Sequence, residues 1–225
     1  MTEKAIWKGI LLFDGVKIPV RLKNTVRERR VLFHLLHSRD GIRLKQQMVC
    51  AYEKVPVPAE EQAKGFEWEE GKYVLLDPAE LERAEPEGSR VIEIHEFVKT
   101  EQIDPLFRDR VYALEHEAAS RTYDALAAAL AELGAEGICT WTMRRRSFFG
   151  TVQADGKGLR LNTLRYADEL IPVNSLKLPR VPLSEKELTI GAELIDRLTE
   201  PFEPRKFTDE HQRKLRQLIE RKALG

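Results

Sequence analysis

Arg43 and Lys45 stand two positions apart, a spacing that puts both side chains on one face of an extended strand while Ile42 and Leu44 turn to the other. Paired cations in that arrangement suit phosphate oxygens, and Arg39, Lys54 and Lys64 lie in the same charged stretch. A second basic run, Arg144-Arg145-Arg146, sits between Trp141 and Phe148-Phe149. On a strand at most two of the three share a face, so Arg144 and Arg146 are the pair that would meet a phosphate backbone together. Lys157 and Arg160, beside a turn, are further candidate contacts. Each feature has an ordinary reading too. An isolated Arg-x-Lys pair is first of all a solvated face, and a basic strand edge discourages aggregation.

Other chemistries find less support. Asp104 with Asp109, or Asp168 with Glu169, offer carboxylates that in a nuclease would hold magnesium. His34, His37, His95, His116 and His211 have no matching cysteine or carboxylate cluster and read as structural. Cys50 and Cys139 lie far apart without CxxC spacing, which argues against a disulfide framework or a zinc knuckle and for a reducing compartment. There is no glycine-rich phosphate loop, no Ser/His/Asp arrangement and no ligase-type lysine motif, so neither catalysis nor a cofactor or metal is expected. Lys plus Arg equals Asp plus Glu at 37 each, which would speak against nucleic-acid binding if the charges were evenly spread. They are segregated: basic residues gather at 27–30, 39–45, 144–146 and 205–222, acidic ones at 60–70 and 80–87. Phosphate binding needs only such local concentrations. No apolar run approaches 18 residues and the amino terminus shows no apolar leader, so the expectation is a cytoplasmic protein that spans no membrane.

The elements that must position these residues are mainly strands. Residues 6–22 alternate around Asp14-Gly15 and predict a hairpin. Residues 34–71 are rich in charge and poor in core-forming runs, so they should project from the body. Strand character returns at 72–76, then Asp77-Pro78 opens a short capped helix. Strands are expected at 89–98, 111–114, 137–152 and 159–164, the last two joined through Asp155-Gly156-Lys157-Gly158. Tyr123, Leu126, Leu130 and Leu133 recur at helical spacing ahead of Gly134. Three prolines mark a linker over 172–182, after which Ser184 and Thr208-Asp209 each start a helix. Leu188, Leu194, Ile195, Leu198, Phe202, Phe207, Leu215, Leu218 and Ile219 are more apolar residues than this helical pair can bury on itself. The expected fold is mixed and mainly β, a barrel or closed sheet over residues 1–172 with a helical arm over 173–225.

Four stretches in order resemble the core pattern of the prokaryotic Ku family. They are Ala5-Ile6-Trp7-Lys8-Gly9 with Ile18-Pro19-Val20; Gly41-Ile42-Arg43-Leu44-Lys45; Thr163-Leu164-Arg165-Tyr166-Ala167-Asp168-Glu169; and Glu200-Pro201-Phe202-Glu203-Pro204, running into Leu215, Leu218-Ile219-Glu220 and Lys222. The resemblance implies a Ku-like barrel, a bridge segment closing a ring over DNA, and an arm contributing the apolar residues named above to a homodimer interface. It implies a non-enzymatic, nucleoid-associated ring on double-stranded DNA ends that recruits the ATP-dependent ligase of non-homologous end joining, and it favours phosphate contact for Arg43 and Lys45. Two bridge arms of about ten residues, at ~3.3 Å each, would reach ~33 Å, near one turn of duplex. The motif carboxylates Asp168 and Glu169 would then orient a turn. Departures are Leu44 where the family usually has an aromatic, and a single Cys50 where many relatives carry a metal-spaced cysteine cluster, so no metal is expected. The family commonly continues past the arm into a ligase-recruiting tail, whereas this sequence stops at Gly225, which weakens the ligase expectation. The competing readings are a metal-dependent nuclease and a protein-binding barrel scaffold.

Overall fold

A computed structural model describes residues 4–27, 30–172, 175, 177, 179 and 181–225. Residues 28 and 29 of the first basic run, and 173, 174, 176, 178 and 180 of the proline-marked linker, lie outside them. The chain divides into two compact units, Met1–Arg27 with Lys45–Leu170, and Glu28–Leu44 with Ile171–Gly225.

The first unit is built on seven strands: β1 (Trp7–Phe13), β2 (Val16–Asn24), β5 (Val91–Lys99), β6 (Arg108–His116), β7 (Ala135–Met143), β8 (Arg146–Asp155) and β9 (Gly158–Leu164). They close into a barrel in the order β1-β2-β6-β9-β8-β7-β5, which bears out the mixed, mainly β reading. Neighbours are antiparallel except β1 and β5, which close the ring in parallel through Ile10↔Val91, Leu11↔Ile92 and Leu12↔Glu93. The first hairpin turns at Asp14 and Gly15 with φ of 43° and 78°, the left-handed pair that its Asp-Gly dipeptide favours.

Alternate residues of each strand fill the barrel, among them Leu11, Val20, Ile92, Leu114, Trp141, Val152 and Leu161. The helix α2 (Arg121–Leu133) is capped by the Ser120 hydroxyl and stopped by Gly134 at φ 56°. It packs on β7, β8 and β9 and sends Tyr123, Leu126, Ala127 and Leu130 into the same core. The Tyr123 hydroxyl donates to the Leu114 carbonyl (2.5 Å) and accepts from the Leu159 N–H (2.8 Å), tying the helix to β6 and β9 at one end of the barrel.

Residues 100–107 form a strap from the end of β5 to the start of β6. Beneath it the outward face of β7, β8 and β9 carries polar groups that are nonetheless buried: Glu136 and Thr151 at 0% exposure and Asn162 at 2%. Burial of a carboxylate is tolerable only if it is paired and hydrogen-bonded. Arg108 supplies both bonds to Glu136, from Nη2 at 2.7 Å and Nη1 at 3.1 Å, while Asn162 donates to the Thr151 hydroxyl at 3.1 Å.

Outside the barrel, β3 (Lys64–Glu69) and β4 (Lys72–Leu76) form a separate two-stranded sheet, followed by the Asp77-capped helix α1 (Pro78–Ala84). The sequence boundary at residue 71 therefore falls on the turn of this hairpin, and 72–76 pairs with it rather than with the body. In the second unit, residues 35–44 reverse at Gly41 (φ 71°), and the helices α3 (Glu185–Leu198) and α4 (Glu210–Leu224) bury no residue.

Replacing Arg108 with Met leaves the buried Glu136 unpaired, so urea unfolding should show a loss of about 3–5 kcal/mol. The double variant Arg108→Met/Glu136→Gln should recover part of that loss.

Candidate nucleic-acid interface

The barrel end opposite α2 is where β2 stops at Asn24, β9 stops at Leu164, β6 begins at Arg108 and β7 turns into β8. A groove of about 810 Å³ opens there, lined by Arg110, Arg144, Arg146, Arg165, Asn24 and Tyr166 among others. Its acids are engaged. Asp109 lies 3.3 Å from Arg165 and 3.7 Å from Arg110, and Glu169 accepts the Tyr166 N–H at 2.6 Å. Arg165 also donates to the carbonyls of Leu106 (2.8 Å) and Arg108 (2.5 Å), fastening the end of the strap. Among the described residues Arg144 and Arg146 have no side-chain partner, which leaves an excess of positive charge at the rim. Beside it the Phe149 and Tyr166 rings stack with centroids 5.9 Å apart.

The run 137–152, read above as one strand, is two strands with Arg144 and Arg145 as the turn between them. Both adopt left-handed φ, 53° and 62°. That conformation costs a non-glycine residue about 1–2 kcal/mol, and hairpins of this type ordinarily use Asn-Gly. No such turn signal is present, so the sequence concealed the break. The consequence is a sharper separation of the three arginines than a strand would give. Arg145 turns to Glu85 at 3.3 Å, while Arg144 and Arg146 line the groove.

The other candidates are placed apart. Lys157 sits in the β8–β9 turn, about 30 Å along β8 from Arg146, and Arg160, which donates to Gln153 at 2.9 Å and pairs opposite it, lies about 23 Å along. Arg39, Arg43, Lys45, Lys54 and Lys64 are all exposed, and none has a side-chain partner among the described residues. Arg39 sits in the turn of the 35–44 reversal and Arg43 pairs opposite Leu36, while Asp40 accepts the Ile42 N–H and pairs with His37 at 2.9 Å. Those bonds, the backbone one first, hold the Asp40 carboxyl below its ordinary range. Lys54 closes a second reversal at φ 61°, in which the N–H groups of Glu53 and then Tyr52 lower the Cys50 thiol pKa. Lys64 begins β3. On the arm, Leu188, Leu194, Ile195, Leu198, Phe202, Phe207, Leu218 and Ile219 are exposed and Leu215 is half-buried.

Asn24, Arg110 and the Phe149–Tyr166 stack were not singled out by the sequence reading. Arg165 and Tyr166 lay inside a quoted motif, but only the fold brings them beside the 144–146 run. Of the carboxylates offered for metal chemistry, Asp104 caps the turn at Leu106, while Asp109 and Glu169 line the groove, one facing arginines and the other accepting the Tyr166 N–H. Among the described residues no group of three His, Cys, Asp or Glu side chains is placed to hold a metal ion.

The family model of the Ku70/Ku80 beta-barrel domain matches residues 12–190. The chain belongs to the Ku family. It is 60% identical over its whole length to the non-homologous end joining protein Ku 2 of Geotalea uraniireducens, covering 88% of that protein. It is 38% identical to the non-homologous end joining protein Ku of Anaeromyxobacter sp. (99% of this chain, 76% of the relative) and 34% identical to that of Solibacter usitatus (98% and 83%). The Ku-like stretches have physical reasons here. A Cβ on Gly9 would lie 2.2 Å from the Arg90 carbonyl, so that position admits no side chain without movement. Arg165 holds the strap, and of the pair Asp168 and Glu169 expected to orient a turn, Glu169 accepts the Tyr166 N–H.

The variant Arg144→Asn/Arg145→Gly should raise unfolding stability by about 1–3 kcal/mol in urea titrations, because it relieves two left-handed residues. The same variant should elute earlier from a heparin column, having lost groove charge.

Proposed function

We propose that this Ku chain acts as a homodimeric ring that binds double-stranded DNA ends without sequence preference and serves break repair by non-homologous end joining. The observation that carries the reading is a set of exposed cations, Arg39, Arg43, Lys45, Lys54 and Lys64, without a side-chain partner among the described residues, along a charged segment of a Ku-family chain. Side chains of this kind bind phosphate without reading bases. Preference for ends is then topological, because a closed ring can be entered only where a duplex stops. The relatives' names, which include non-homologous end joining, support the pathway. Recruitment of the ATP-dependent ligase and work at the nucleoid in the cytoplasm belong to the same proposal. No helix among the described residues is long and apolar enough to cross a membrane. The role is that of a scaffold, without catalysis or a cofactor.

Dimerisation would use the arm. Its apolar residues include Leu198 and Phe202, 83% and 82% exposed, and no residue of α3 or α4 is buried within one chain. A second copy would cover them through a two-fold contact of ~1,600 Å² or more.

Arg43→Glu/Lys45→Glu should weaken binding to every linear duplex alike, and log affinity should fall against log salt with a slope of about −0.9 per phosphate contacted. Wild-type protein should prefer linear to covalently closed circular DNA in a gel shift. Equal binding to both forms would remove the ring. Ile195→Glu/Leu198→Glu should convert the dimer to a monomer in analytical ultracentrifugation and abolish end binding with it.

A further inference from the structure

The groove at the open end of the barrel combines features that a duplex backbone alone does not require. Arg144 and Arg146 stand at its rim without a partner among the described residues, and Arg144 occupies a left-handed turn position that a smaller residue would fill at lower cost. Next to them Tyr166, 48% exposed, lies stacked on the half-buried Phe149, so one ring supports the other from behind. Asn24 and Ser147 add hydrogen-bonding side chains to the lining. A volume of about 810 Å³ is within the range of small-ligand sites and large compared with a single nucleobase.

Two unpaired guanidinium groups beside a supported aromatic face make the combination that holds single-stranded nucleic acid, with charge for the backbone and a stacking platform for the base. A paired duplex offers phosphates but keeps its base faces stacked on one another. An unpaired nucleotide can enter the groove and lay its ring against Tyr166, which the bases inside a duplex cannot do. An acidic protein segment would use the arginines and leave the ring without a matching partner. We infer that the groove formed by Arg144, Arg146, Tyr166 and Phe149 binds the unpaired strand of a DNA end, so that the protein distinguishes ends with overhangs from blunt ones. The inference rests on the proposed binding of DNA ends and assigns a further contact within it. Phe149 acts as a positioning residue behind Tyr166, and the two arginines carry the phosphate contact.

Fluorescence anisotropy on the full chain at fixed salt would test it, with one short duplex sequence made blunt, with a 5′ thymidine overhang, and with a 3′ thymidine overhang. Wild type should bind at least one overhang form about tenfold more tightly than the blunt form, the scale of one base stacked on an aromatic ring. Tyr166→Ala should erase that difference by lowering overhang affinity more than blunt-end affinity, and Tyr166→Phe should keep it. Arg144→Ser/Arg146→Ser should lower overhang affinity more than blunt affinity. Equal wild-type affinity for all three duplexes overturns the inference, as does an equal loss on all three in Tyr166→Ala. If the groove variants change no DNA affinity, the groove serves another class of ligand such as an acidic partner, and the assignment is wrong. Failure of the parent reading looks different, since the wild-type protein would then bind none of the duplexes.

Discussion

Seven strands close into a barrel here because β1 meets β5 in parallel over three residue pairs, and nearly everything else follows from that closure. A closed sheet has no free edge, so segments that extend from the barrel do so from strand ends. The apolar face of α2 occupies one end. The polar and charged chain that leaves β2 after Asn24 and β9 after Leu164 departs from the other. Arg110, Arg144, Arg146 and Arg165 line the groove at that same end. The closure thus sorts a formally neutral chain into a packed interior, a plugged end and a basic end.

Charge sorting depends on where the carboxylates are held. Glu136 is buried under the strap and bound by Arg108; Asp109 is held between Arg110 and Arg165; Glu169 and Asp77 serve turns and a helix cap. None of these acids forms a direct ion pair with Arg144, Arg146, Arg43 or Lys45. A total of 37 basic and 37 acidic residues therefore coexists with local surfaces of one sign. Net charge averages over distances longer than a Debye length, while phosphate contact is decided within a few ångströms.

The strap shows a second economy of the fold. A chain leaving β5 must reach the start of β6 across the outside of β7, β8 and β9, and doing so buries side chains that would otherwise face water. The sequence there carries Glu136, Thr151 and Asn162 at positions that alternate correctly for an exposed face, and nothing local reveals that another segment will cover them. Arg165, part of a Ku-family stretch, secures the strap through backbone carbonyls and simultaneously lines the groove. One side chain thereby links the integrity of the barrel wall to the shape of the candidate site.

Local signals sufficed for much of this molecule. The Asp14-Gly15 turn, the caps at Asp77 and Ser184, the stop at Gly134 and the alternating strands were legible because each depends on backbone preferences of adjacent residues. The exposed arm and the charged excursion were legible as an apolar surplus and a missing core. The turn at Arg144-Arg145 was not, since arginine carries no preference for left-handed φ and tertiary packing imposes it against local cost. Nor was the company of Asn24, Arg110, Arg146 and Tyr166, three from different strands and one just past the end of β9, which meet only because barrel registers bring strand ends together. Sequence alone determined which elements form and which segments carry charge, through interactions spanning a few residues. Tertiary structure alone decided which arginines remain unpaired and which aromatic ring stands beside them, because pairing and proximity depend on contacts between residues distant in the chain.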